Sequence, residues 1–356
     1  MLSFIIRRLL LAVPVVIGIL IVTFFLARLI PGDPCRSIIG EKATAEACEA
    51  FERNKGLDRP LPVQLGIYMR DIVQGDFGDS IRFSRPVSQI MAERLPMTIE
   101  LATTALLIAI VVGVGLGVAS AMRHNSAVDI GSMTLANIGV SMPVFWLGLM
   151  LIWLFAATLG WLPPSGRLTA GVSSTPFYVA WGWDPGEEGT FRFLTFEFLS
   201  NHVIGNSIVV GEWEVLWDAI KHLILPAVAL STIPMAIIAR ITRSSLLDVL
   251  GREYVRTARA KGAANRRVVV RHGLRNALLP VVTIIGLQMG ALLSGAVLTE
   301  TIFGLAGVGT MLFEAITARD FPVIQGFVVI IALSYVVLNL IVDISYAYLD
   351  PRIRLQ

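Results

Sequence analysis

RITRSSLLDVLGREYVRTARAKGAANRRVVVRHGLRNALLP, Arg240 to Pro280, is the stretch whose reading decides the fold. Its cations are Arg240, Arg243, Arg252, Arg256, Arg259, Lys261, Arg266, Arg267, Arg271 and Arg275, against Asp248 and Glu253 alone. An apolar run of membrane-spanning length lies on either side of it. Lys and Arg collect in the loops on the cytoplasmic side of a bilayer, so this segment faces inward. Within it Ser244 to Ala260 is expected as one helix and Asn265 to Leu279 as a second, with Gly262 to Ala264 as the elbow. Two short helices about a small-residue elbow make a rigid docking surface.

Working outward, the composition sets the class. The chain has 356 residues, 55% of them hydrophobic and only 15% charged, whereas an ordinary soluble domain carries about 25% charge. That predicts an all-α polytopic membrane protein. The net charge of +3 is small and its cations cluster beside the spans. It reads as a topology signal and not as a nucleic-acid footprint.

Six spans are expected, with both termini inside. The first is Leu9 to Ile30, behind Arg7 and Arg8. A cleaved signal peptide would have an apolar region of roughly 7 to 15 residues and a small-residue cleavage site. This run is longer and ends in Arg28-Leu29-Ile30-Pro31, so a retained span with its amino terminus inside is expected. The others are about Ile99 to Met122, Met133 to Leu159 with a kink at Ser141-Met142-Pro143, Leu223 to Ile241 with Pro226 and Pro234, Ala277 to Leu298, and Val323 to Leu349 with Asn339 and Asp343 one turn apart. Gly113, Gly115 and Gly117 in the second span point to close helix packing. Two long outer segments separate the spans, residues 31–98 and 160–222, and the basic inner one covers 240–280; the whole is read as one transmembrane domain. The turn from Thr299 to Pro322, with Glu300 and Gly304, Gly307 and Gly309, returns outside.

The two cysteines, Cys35 and Cys48, lie in the first outer segment. An oxidising compartment favours a bridge between them, and free thiols are the alternative. The histidines, His124, His202, His222 and His272, stand in loops or at span ends, with no second ligand at metal spacing beside His124. A membrane enzyme would need a nucleophile with a base, paired acids or metal ligands inside the bilayer, and the sequence offers none. No G-x-x-x-x-G-K-[ST] loop is present either, so ATP phosphates have no cradle of that kind on this chain. A channel is the other rival, since small-residue helices with a few polar groups also line pores. Asn137, Ser141, Thr232, Gln288 and Ser294 are the intramembrane polar candidates for a wet route.

Four stretches in order carry a resemblance: ARLIPGDP at 27–34, GDFGDSIRFSRPV at 75–87, TRSSLLDVLGREYVRTARAKG at 242–262 and DPRIR at 350–354. Together they resemble the membrane subunits of bacterial ATP-binding-cassette importers of the dipeptide and oligopeptide branch. Arg256 to Gly262 stands where that family has its EAA loop, E-A-A-x-x-x-G. Arg256 and Thr257 replace the first two letters, and Leu279-Pro280 follows later than the general pattern has it. Where the family usually has Pro-Gly, this chain has Ala306-Gly307.

The resemblance implies a type I importer fold and an inner-membrane location. It also implies import of di- or oligopeptides, or in relatives glutathione, nickel complexes or opine-like compounds. Glu253, Tyr254, Arg256, Thr257, Ala258, Arg259, Lys261 and Gly262 would contact an ATPase subunit. It implies as partners a homologous second permease subunit, two ATP-binding cassette subunits that hold the ATP and Mg, and a periplasmic substrate-binding protein, with no cofactor on this chain. The acidic second outer segment, with Asp184, Glu187, Glu188, Glu197, Glu212, Glu214, Asp218 and four tryptophans, lies on the side where that binding protein docks. Taken singly, its acids read as solvated and its tryptophans as interface anchors.

Overall fold

The computed structural model describes residues 2–29, 44–56 and 58–349. Among them the chain is helical, with only an isolated bridge between Asp79 and Pro86. In order these are α1 (Leu2–Leu29), α2 (Ala45–Lys55), α3 (Leu61–Val73), α4 (Val87–Met122), α5 (Ala127–Ser141) and α6 (Val144–Leu151, prolonged by π-helical turns at Ile152–Thr158). The second outer segment holds α7 (Phe177–Ala180), α8 (Phe191–Ser200) and α9 (Val203–Val210). Then come α10 (Trp213–Leu250), α11 (Glu253–Ala260), α12 (Asn265–Arg267, prolonged by π-helical turns at Val268–Leu274), α13 (Arg275–Gly295), α14 (Val297–Ile302), α15 (Val308–Ala318) and α16 (Phe321–Leu349). Among the described residues five helices are long and apolar enough to cross a membrane, and six spans result if α5 and α6, bent by 101° at their junction, count as one. The bend falls at Met142-Pro143, where proline cannot donate to the turn before it.

The centre is the pair α4 and α10, with 36 and 38 residues. At 1.5 Å per residue each is about 55 Å long, nearly twice the ~30 Å hydrocarbon layer, so both project beyond it. This corrects two expected boundaries. Span four does not stop at Ile241 with a new helix at Ser244: α10 runs unbroken to Leu250, and the break falls at Gly251-Arg252. Thr242 and Leu246, both fully buried, continue the inward stripe across the expected boundary, and nothing from 242 to 250 interrupts a helix. Pro226 and Pro234 do not break the helix either. Close by, the hydroxyls of Ser231 and Thr232 donate to the carbonyls of Val228 and Ala229 at 2.8 and 2.9 Å.

The second span likewise starts at Val87, so the end of the first outer segment is helix. Val87, Ile90 and Met91 pack there against Val308, Met311, Ala315, Val323 and Phe327. The charges of Glu93 and Arg94 conceal this continuation from a hydropathy reading.

Close approach between α4 and α10 depends on absent side chains. A Cβ on Gly117 would lie 2.6 Å from Thr242 Cβ and 2.7 Å from the Ala239 carbonyl oxygen, and one on Gly113 would lie 2.7 Å from the Met235 oxygen. Gly115, on the other side, has nothing within 4 Å. Gly117→Ala is therefore expected to destabilise the protein by about 1–3 kcal/mol through overpacking, read as a lowered melting temperature in detergent. Gly115→Ala should be neutral or slightly stabilising, because alanine is the better helix former; equal effects of the two changes would refute the packing account.

Candidate functional site

At the inner end of α10 the chain turns at Gly251-Arg252 into α11, which is amphipathic in an unusual proportion. Val255 alone is buried, while Glu253, Tyr254, Arg256, Thr257, Arg259 and Lys261 are exposed and Ala258 is partly so. One apolar peg thus seats the helix and leaves the remaining surface free. Its termini suit the helix dipole, with Glu253 in the first turn and Arg259 in the last. The Tyr254 hydroxyl ties it to the next rod, donating to the His272 carbonyl at 3.3 Å and accepting from Asn276 at 2.8 Å. Arg256 pairs with Glu253 at 3.1 Å, both side chains largely in solvent. Such a pair contributes little.

Gly262 ends the segment with φ of 76°, a left-handed conformation in which residues with a Cβ are disfavoured. A Cβ there would touch nothing within 4 Å, so the requirement is one of backbone geometry only. Beyond it Val268 and Val269 are buried, and Gly273 lets α10 approach, a Cβ at that position lying 3.1 Å from Leu246 and 3.2 Å from Leu250. Helix α11, the turn at Gly262 and the end of α10 therefore form one packed unit.

The polar residues expected along a route stand in different surroundings. Asn137 and Ser141 are exposed on α5, where the Ser141 hydroxyl donates to the Asn137 carbonyl at 2.9 Å. Thr232 is buried, its hydroxyl is used within its own helix, and Gly139 of α5 packs over it. Gln288 is partly buried on α13. Ser294 lies on the same helix and its side chain is outside the described part of the structure. Cys48 is on α2 and is disulfide-bonded; Cys35 lies outside the described residues.

The opposite end of the molecule is held by carboxylates that single-residue reading passed over. Glu100 of α4 accepts from Arg167 at 2.7 Å and from the Ile204 amide at 2.9 Å, and Arg167 also donates to the Asn201 carbonyl. This joins the second outer segment to a central helix. Glu300, fully buried, accepts from Thr98 at 2.6 Å and from the Thr310 amide at 3.0 Å, while Thr98 accepts from the Val308 amide at 2.8 Å. Burial pushes the Glu300 carboxyl up from the usual carboxylate range, against the downward pull of those donors. Asp320, also fully buried, accepts from the Ser80 hydroxyl and from the Arg82 amide at 3.2 Å.

Within the second outer segment Phe177, Tyr178, Trp181, Trp183 and Phe196 form an aromatic cluster with ring centroids 5.0–6.2 Å apart. The expectation of solvated acids fails for three of them. Glu197 accepts from Tyr178 and Asn201, Glu212 from the Thr175 amide, and Asp218 from the Thr169 amide and hydroxyl. These are internal ties of a folded unit. His222, expected at a span end, is buried within α10, its Nδ1 2.9 Å from the Asp218 carbonyl. The sequence signal available for the long-range ties was a charged residue inside or beside an apolar run, which has no good solution except a partner.

Residues 113–355 match the family described as "Binding-protein-dependent transport system inner membrane component". Residues 1–102 match the N-terminal family of binding-protein-dependent transport system membrane components. The chain is 46% identical over 357 residues to the dipeptide transport system permease protein DppB of Alkalihalophilus pseudofirmus, covering 99% of this chain and 100% of that protein. It is 43% identical over 357 residues to the di/tripeptide transport system permease protein DppB of Pseudomonas aeruginosa, with both chains covered in full. To the glutathione transport system permease protein GsiC of Salmonella choleraesuis it is 36% identical over 354 residues, covering 99% of each.

Proposed function

This chain belongs to the binding-protein-dependent transport system inner membrane component family, and from that premise we propose that it forms half of the translocation pathway of an ATP-driven importer of di- and oligopeptides. The observation that carries this reading is full-length similarity at more than 40% identity to relatives named as dipeptide and di/tripeptide permeases, joined to a basic inner helix that is seated by one residue and otherwise exposed. The chain is a permease subunit and does not itself supply the energy. ATP and Mg belong to two ATP-binding cassette subunits, a homologous permease supplies the other half of the pathway, and a periplasmic binding protein delivers the cargo. Asn137, Ser141 and Gln288 are the candidates we retain to meet that cargo, whereas the Thr232 hydroxyl is used within its own helix.

In this reading the exposed side of α11, from Glu253 through Tyr254, Arg256, Thr257, Ala258, Arg259 and Lys261, enters the ATPase, and Gly262 fixes the angle at which it does so. Gly262→Val forces a β-branched residue into a left-handed conformation at a cost of about 1–3 kcal/mol. It should abolish coupled uptake while the chain remains in the membrane. Gly262→Asn, which tolerates that conformation, should retain most uptake; wild-type uptake in the valine variant would refute the elbow.

Cargo is tested directly. The complex is isolated with its binding protein, the ligand released by denaturation and weighed. A mixture of short peptides is expected, and a single metal chelate or sugar would overturn the peptide assignment. The proposed partner of Cys48 is Cys35. Intact-mass analysis after alkylation without reductant should find no alkylated thiol, and two alkylated thiols would exclude the bridge.

A further inference from the structure

One ion pair at the inner end, its carboxylate buried and its guanidinium partly so, has no part in the docking surface just described. Asp129, 4% exposed, sits in the first turn of α5 and receives Arg243 of α10 through both oxygens, Nε to Oδ1 at 2.7 Å and an Nη to Oδ2 at 2.8 Å. The hydroxyl of Ser120, at the end of α4, donates to the same carboxylate, as does the Asn125 amide at 2.9 Å. Three helices thus meet on one side chain. The fork geometry fixes orientation as well as distance, which apolar contact does not.

Position suggests what the orientation serves. Arg243 stands about 10 Å along the helix axis before Leu250, on the part of α10 that is packed with the coupling segment. Asp129 stands at the inner end of the bent pair α5–α6. In α6, five residues beyond the bend proline, Gly148 is buried against Phe303, where a Cβ would lie 3.1 Å from the ring. Phe303 in turn adjoins Glu300, whose carboxylate holds α14 and α15 to α4. The bent pair therefore has the start of its first helix on the coupling arm and the first half of its second helix beside the outer clasp, with a 101° bend between the two helices.

Adhesion alone does not require the ion pair. Glycine contacts already join α4 to α10, and Ala136 with Ala236 and Ala239 joins α5 to α10. Taking a carboxylate and most of a guanidinium out of water is a costly way to add stability, and apolar replacements of buried pairs are often neutral or stabilising.

We propose that the Asp129–Arg243 pair is the joint through which motion of the coupling segment turns the bent helix pair, so that cargo moved per ATP hydrolysed depends on it. The inference rests on the importer reading above and names positioning residues for it. Nucleotide-driven displacement of α11 moves the end of α10, Arg243 carries Asp129 with it, and α5 swings about Pro143 against the outer seat at Phe303.

The test uses the complete importer with its binding protein in liposomes, measuring labelled dipeptide uptake and phosphate release in the same sample. Asp129→Asn and Arg243→Met should each lower uptake per ATP about tenfold while hydrolysis stays within about twofold, the range seen when coupling contacts are altered. Exchanging the charges, Asp129→Arg with Arg243→Asp, should recover part of the loss. Ser120→Ala, which leaves the ion pair standing, should lower the ratio by a smaller factor and serves if the charge variants do not assemble. An unchanged ratio in the variants that assemble, or a proportional fall of uptake and hydrolysis together, would overturn the joint. A wild-type complex that hydrolyses ATP and takes up no dipeptide would instead remove the importer reading and the proposal with it.

Discussion

Everything in this molecule hangs on two helices that are longer than the bilayer is thick and are pressed together where they have no side chains. The contact of α4 with α10 through Gly113 and Gly117 needs no hydrophobic driving force, which lipid does not supply; it gains from dispersion and close approach. Because both helices overshoot the hydrocarbon layer, each end of the pair becomes a platform. The outer ends carry Thr98 and Glu100, which receive the outer segments. The inner ends carry Ser120 and Arg243, which receive α5.

The buried charges divide by role. Glu300 accepts from a backbone amide near the start of α15, where unpaired N–H groups would otherwise be left dry. Asp320 does similar service for the Arg82 amide in the hairpin of the first outer segment. Glu100 and Asp129 instead hold arginines from distant parts of the chain. Both kinds reach across the chain, Glu300 to Thr98 202 positions away and Asp320 to Arg82 238 positions away; the first kind satisfies backbone donors, the second pairs charges.

That division also marks what the sequence could tell. Apolar runs located the spans, proline at 143 located the bend, and glycine at 262 located the left-handed turn after α11, because each is a local consequence of residue type. Helix ends were misread where packing overrode the hydropathy contrast. The polar residues Glu93 and Arg94 belong to a helix that the buried Val87, Ile90 and Met91 hold in place. Among the candidate route residues the sequence separates nothing, yet Thr232 is sealed behind Gly139 while Asn137 and Ser141 are exposed. The pairs Glu100–Arg167 and Asp129–Arg243 join residues 67 and 114 positions apart. No spacing rule announces them.

The separation of the outer clasps along the chain sets an order in which the protein can be made. At about 5–20 residues per second, Arg167 emerges roughly 3–13 s after Glu100. Glu300 follows Thr98 by 202 positions, roughly 10–40 s of synthesis. During the first interval Glu100 waits at the membrane boundary as a carboxylate without its arginine; during the second, α4 stands inserted with the Thr98 hydroxyl still unclaimed by the outer turn. The nascent chain therefore passes through a stage in which the second outer segment is already fastened and the last two helices are not, and the final seal is made only after nearly all of the chain has left the ribosome.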